Sequence, residues 1–351
     1  MIRLRSAACL LCVALCPFLT AEEPAETPVV TGTALDRLGD TPPAPPPGYP
    51  SSSAALLAVQ LGMVPTVDMK PELPADVELE SDVKYGRVGE RDLLLDVYRP
   101  KDQSEPLPLL VFIHGGGWRG GNKADYRVYA VHFAQRGYVV ASVGYRLSGE
   151  AQYPAAVHDV KCAIRWLRSQ AAELKIDPDR IGVVGGSAGG HLAMMIGYSA
   201  DVPELDGDGG SPGVSSRVQA VVNIYGPCDL TTDFVRENAA AKNLCRGFFG
   251  GEVDELLSVY QQASPITHLT ADDPPTLILH GTTDDVVPID QSDILSARLQ
   301  ELEIPYVYDR LPGWPHTMDL TQACNDRAKW FMDRFLDATL KPAPESRSSQ
   351  P

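Results

Sequence analysis

Between residues 83 and 340 the chain alternates two kinds of hydrophobic pattern. Nearly continuous apolar runs at 107–113, 138–145, 180–184, 218–225, 276–280 and 306–311 have the length of strands covered on both faces. Between them, apolar positions recur at helical spacing. Residues 125–136 read as a helix stopped by Gly137. A long amphipathic helix opens at Pro154, with Val157, Val160, Ile164 and Leu167 on one face and Trp166 beside them. Residues 289–302 and 325–340 supply two more helices. Ahead of these, 83–88 and 93–98 read as an antiparallel entry pair joined through Gly89-Glu90-Arg91. Repeated β–α alternation predicts an α/β fold with a mainly parallel central sheet and helices on both faces. Residues 226–273 break the rhythm. They hold no clear strand, carry Phe248-Phe249 and Leu256-Leu257, and predict a small cap insertion over the C-terminal edge of the sheet.

Outside the expected domain, residues 76–341, the pattern fades. Residues 22–75 are rich in Pro, Thr, Ala and Ser, densest at Pro42-Pro43-Ala44-Pro45-Pro46-Pro47, and predict an extended linker or disordered segment with one short helix at 54–64. Residues 342–351 read as a loose tail. Residues 1–21 have the layout of a secretory signal peptide: the basic start Met1-Ile2-Arg3-Leu4-Arg5, an apolar stretch at 7–19, and Ala21 at the cleavage point. That stretch is short for a transmembrane helix. The expected location is therefore secreted or periplasmic. A lipoprotein variant is the alternative, weighed against by Leu15 before Cys16, where lipoprotein processing wants a small residue.

Composition narrows the classes. The 351 residues are 44% hydrophobic, ample for one large α/β domain, and carry 30 basic against 46 acidic side chains. A net charge of −16 argues against nucleic acid or an anionic membrane as partner. Beyond the leader lie Cys162, Cys228, Cys245 and Cys324. In an oxidising compartment Cys228 and Cys245 would close a modest disulfide loop, whereas Cys162, on an amphipathic helix, reads as a buried thiol. There is no Cys-x-x-Cys and no zinc-spaced histidine pair, so no metal site is expected. Asp206-Gly207-Asp208-Gly209-Gly210 looks like part of a calcium loop but lacks the glutamate at position twelve, and reads as a turn.

The chemistry concentrates at Gly185-Gly186-Ser187-Ala188-Gly189, between the strand 180–184 and a helix-forming stretch. A serine flanked by glycines at a strand-to-helix turn is a nucleophile elbow, and the helix aims its positive end at any oxyanion formed there. A serine hydroxyl needs a base, and the base needs a carboxylate to fix its tautomer. Of the seven histidines, His114 and His280 end strands, His132 and His158 fall in helices, His191 sits one turn into the elbow helix, and His268 lies in the cap. His316, in the loop after the last strand, remains as the base. Asp284, early in the loop after 276–280, is preferred over Asp285 as the acid. His114-Gly115-Gly116-Gly117-Trp118 follows a strand, and the N–H groups of Gly116, Gly117 and Ala188 are the expected oxyanion donors. Trp118 either walls the substrate pocket or packs beneath the loop; Trp314, just before the base, is the second aromatic expected beside substrate.

These motifs, in this order, resemble the hormone-sensitive-lipase-like α/β-hydrolases, and most closely the bacterial feruloyl-esterase-like (BD-FAE) branch, over roughly residues 83–340. The resemblance implies an α/β-hydrolase fold and cofactor-free hydrolysis of small acyl or aromatic acyl esters, small or polysaccharide-linked, through an acyl-enzyme on Ser187. One departure is Trp314-Pro315 before His316, where such proteins usually place glycine or a small residue. The rival readings are a lipase, an arylformamidase-like amidase or prolyl-oligopeptidase-like peptidase, and a non-catalytic binding module. The segment before residue 76 is too short for a propeller, and no position of the triad is missing.

Overall fold

The computed structural model describes residues 29–30 and 38–341. The expected leader at 1–21 and tail at 342–351 lie outside the described residues. Among the described residues, nine strands run in the chain order β1 (Val29–Val30), β2 (Val77–Val88), β3 (Arg91–Pro100), β4 (Leu107–Ile113), β5 (Val139–Val143), β6 (Ile176–Gly186), β7 (Ala220–Ile224), β8 (Thr276–Gly281) and β9 (Tyr306–Leu311). They form one sheet ordered β1-β9-β8-β7-β6-β4-β5-β3-β2. From β5 across to β9 every neighbouring pair is parallel, and both edges are antiparallel. The helices are α1 (Ser52–Gln60), α2 (Arg127–Gln135), α3 (Ala155–Ser169), α4 (Ala171–Leu174), α5 (Ala188–Tyr198), α6 (Asp233–Glu237), α7 (Ala239–Phe249), α8 (Leu257–Gln262), α9 (Asp290–Glu301) and α10 (Gln322–Leu340).

The continuous apolar strands are explained by two cores. Along β4, Leu109, Val111 and Ile113 enter one core with Val160 and Ile164 of α3, Leu192 of α5 and Leu295 of α9. Leu110 and Phe112 enter the other, with Phe133 of α2 and Phe335 of α10. Alternate side chains of a strand point to opposite faces, so a strand covered on both sides needs apolar residues throughout. The 226–273 insertion is helical, built from α6, α7 and α8. No helix of the described residues is long and apolar enough to cross a membrane.

Two expectations need correction. Residues 38–75 are not a loose linker. Trp314 Nε1 donates to Pro46 O at 3.1 Å, Tyr49 N to Gly313 O at 2.7 Å, and Arg327 to Pro43 O. The Tyr49 ring meets Trp314 edge-on at 5.6 Å, and Thr66 bridges Thr321. A proline-rich chain is already extended, with free carbonyls, and so loses little entropy when it docks as a strap. Cys228 and Cys245 are not bridged either: both thiols are free and buried, and Cys228 Sγ donates to Gln291 O at 2.9 Å. The Asp206–Gly210 turn is tied down from within, because the fully buried Lys161 ammonium reaches Asp206 Oδ1 at 2.9 Å and Ser199 O at 2.6 Å.

Candidate active site

β6 ends at Gly186 and α5 begins at Ala188, which leaves Ser187 alone at the turn with φ 56° and ψ −125°. A non-glycine residue held there costs on the order of 1–3 kcal/mol, and such strain persists only where the surroundings enforce it. They do so here. A Cβ on Gly185 would lie 2.1 Å from Gly189 O, and one on Gly189 would lie 2.0 Å from Ile113 O. Ser187 N donates to Ile224 O at 2.9 Å, which pins the turn to β7.

Three distant residues meet at this turn. His316 Nε2 is 2.9 Å from Ser187 Oγ, and His316 Nδ1 is 2.6 Å from Asp284 Oδ2. The Asp284 side chain is fully enclosed and satisfied by four donors. Its Oδ1 accepts from Val286 N and Val287 N, both at 2.9 Å, while Oδ2 also meets His280 Nε2 at 3.1 Å. Burial by itself would raise the pKa of Asp284. The hydrogen bonds and charges of His280 and His316 outweigh it and hold the carboxyl well below the usual range. His280, expected only to turn a corner, therefore helps to fix the acid. Its Nδ1 faces Ser292 Oγ at 2.7 Å, which leaves Nε2 as the donor to Asp284 and to Val287 O at 2.9 Å.

The glycine loop after β4 lies against the same serine. Gly116 and Gly117 adopt φ 106° and 59° and line the cleft. Their N–H groups, and that of Ala188 at the start of α5, meet no acceptor among the described residues. Free donors beside a nucleophile are what a developing oxyanion requires.

A family model described as BD-FAE matches residues 95–299. The chain belongs to the BD-FAE family. It is 37% identical to Esterase LipC of Mycobacterium tuberculosis over 65% of this chain and 57% of that protein, so it spans little more than half the relative's length. Among solved structures it is similar to a truncated carbohydrate esterase from gut microbiota (TM-score 0.64, 29% identity, 78% of this chain and 99% of that one). It is also similar to the thermophilic esterase Est2 of the planctomycete Thermogutta terrifontis (TM-score 0.65, 29% identity, 80% and 98%).

His316 lies beyond the BD-FAE span, and so do several walls of the cleft. The cavity of about 500 Å³ is lined by Met69 and Lys70 of the strap, Leu244 of α7, Tyr225 after β7, and Asp319 and Leu320 after His316. Sequence reasoning missed all six, since no spacing rule links them to Ser187. Neither Trp118 nor Trp314 lines the cleft, which corrects the substrate-binding expectation. Trp118 is buried behind the glycine loop, stacked on Phe248 at 4.7 Å, and its Nε1 donates to His191 Nδ1 at 3.2 Å. Trp314 is buried under the strap and anchors it. Both indoles fill apolar space and use their one polar atom internally, the usual state of a buried tryptophan.

Proposed function

We propose that the chain is an exported serine carboxylesterase acting on small or aromatic acyl esters, including those carried on polysaccharides. The observation that carries this reading is the unbroken path Asp284–His316–Ser187, at 2.6 and 2.9 Å, next to unpaired N–H groups. Asp284 accepts the Nδ1 proton of His316, which leaves Nε2 basic. Nε2 takes the proton of Ser187 Oγ as Oγ bonds to the acyl carbon. The carbonyl π electrons move onto oxygen, facing Gly116, Gly117 and Ala188. Collapse of the intermediate breaks the ester C–O bond, and His316 protonates the departing alcohol. Water then repeats the sequence on the acyl-enzyme. A cavity of about 500 Å³ suits an acetyl or cinnamoyl-sized group better than a long lipid chain. The carbohydrate esterase among the solved neighbours favours a sugar-linked alcohol. The basic and apolar start of the chain supports export.

A fluorophosphonate probe and an ester panel test the reading. The full chain is expected to be labelled by the probe, and Ser187→Ala to abolish labelling and lower kcat by at least about 10⁴-fold. Acetylated xylan and methyl ferulate are expected to be cleaved ahead of long-chain esters and N-formylkynurenine. Unlabelled wild-type protein, or a fully active Ser187→Ala variant, refutes the proposal.

A further inference from the structure

The cleft has a second buried carboxylate that the proposed chemistry leaves unused. Asp319 is 2% exposed, lines the cavity, and lies three residues after His316. Its Oδ1 accepts the Tyr225 hydroxyl and its Oδ2 the Tyr129 hydroxyl at 3.1 Å. Asn325 Nδ2 donates to the Tyr129 oxygen at 2.9 Å, so the phenol proton of Tyr129 is directed to Asp319, which acts as acceptor. The same Nδ2 donates to Asp319 O at 3.0 Å. Tyr225 in turn lies against the base: its ring centroid is 4.6 Å from that of His316. Its backbone adopts φ 44°, and Ser187 and Thr317, which also line the cleft, share a positive φ, at 56° and 58°. Left-handed backbone at non-glycine residues clusters where the fold must aim a side chain. Here it turns the Tyr225 ring off the end of β7 and onto the imidazole.

We propose that Tyr225 and Asp319 form a positioning unit for His316, which holds the imidazole against Ser187 and favours the imidazolium formed when Nε2 takes the serine proton. This rests on the triad reading above. The ring blocks rotation of His316 away from Ser187 Oγ. Burial raises the pKa of Asp319, but both of its oxygens accept tyrosine hydroxyls, which favours the carboxylate. That carboxylate hydrogen-bonds the phenol, increases the electron density of the ring facing the imidazole, and adds a buried negative charge near His316. His316 also faces Ser187 on the elbow, Asp284 with His280 behind it after β8, and Lys70, Asp125 and Tyr126 around the cleft.

Asp319→Asn keeps the shape and removes the charge; Tyr225→Phe keeps the ring and removes its bond to Asp319. In Asp319→Asn the acid limb of kcat/KM is expected to move about half a unit to lower pH, because the imidazolium loses a stabilising charge. Its kcat is expected to fall about tenfold with KM within twofold, since the group acts through His316. Tyr225→Phe is expected to shift both in the same direction by less, and Tyr225→Leu to lose more kcat than Tyr225→Phe. Melting temperature checks folding, and if Asp319→Asn does not fold, Tyr225→Phe alone decides. Folded variants with an unchanged acid limb and kcat within twofold overturn the proposal, while fluorophosphonate labelling of the wild type shows that the Ser187 reading still stands. Failure of that labelling sinks the Ser187 reading instead.

Discussion

His191, one turn into α5, is a histidine that the fold requires to be neutral. Its Nδ1 accepts from Trp118 and its Nε2 donates to Ala263 O at 2.7 Å, so one ring nitrogen must stay unprotonated. Burial pushes its pKa from 6.5 down to about 4. The folded form thus resists a proton that the unfolded chain accepts, and the resulting stability is full above pH 6.5 and lost as pH falls toward 4. The shift corresponds to roughly 3 kcal/mol. Urea unfolding at pH 7, 5.5 and 4.5 is expected to show this decline, and His191→Gln to flatten it although it is less stable at pH 7. An unchanged pH slope in the variant would rule the histidine out as its source. Asp284 acts lower on the pH scale: its depressed pKa adds stability above about pH 4, which is lost as pH falls further.

Among the elements, the cap helix α7 sets the size of the cleft. A Cβ on Gly117 would lie 2.7 Å from Leu244 Cδ2, so the leucine closes directly over the glycine loop and borders the cavity. Leu244→Ala removes that wall without touching the Ser187–His316 bond. Across p-nitrophenyl esters of rising length, the ratio of kcat/KM for hexanoate over acetate is expected to rise at least about tenfold, the worth of one or two methylenes in an apolar pocket. An unchanged ratio would place the acyl group elsewhere. Opposite the cap, the N-terminal strap supplies Met69 and Lys70. Its helix α1 is inverted relative to a usual surface helix. The small Ala55 and Ala58 are buried, whereas Leu56 and Leu57 are more than half exposed, because close approach to the domain admits only small side chains. Hydrophobic pattern alone therefore reports the existence of this helix and misreports its buried face.

At the scale of the whole molecule, the described residues are held by the two cores flanking the sheet, and their four cysteines form no cross-link. Cys228 donates to the backbone oxygen of Gln291 in the first turn of α9, and burial pushes the Cys245 thiol up to about 12. Dithiothreitol is expected to leave the melting temperature of the purified protein unchanged, and thiol reagents to reach Cys228 and Cys245 only after denaturation. A fall of several degrees on reduction would show a bridge after all. The parallel sheet also explains why the grouping of Ser187, Asp284 and His316 was legible. Ser187, Asp284 and His316 all follow the C-terminal ends of strands, where an open α/β sheet collects its loops, so strand patterns and a strand-to-helix serine bring them together despite separations of 129 and 32 residues. Alternation, glycine punctuation and the chemistry of a serine flanked by glycines are local properties, and the sequence alone determined the β–α order, the elbow, the glycine loop and the order of the three residues. Which other residues wall the cleft was decided only by the tertiary structure. The docking of a proline-rich strap, the burial of Trp118 and Trp314, the Tyr225–Asp319 pair and the unpaired cysteines all depend on which surfaces meet across the fold, and no periodicity along the chain encodes that.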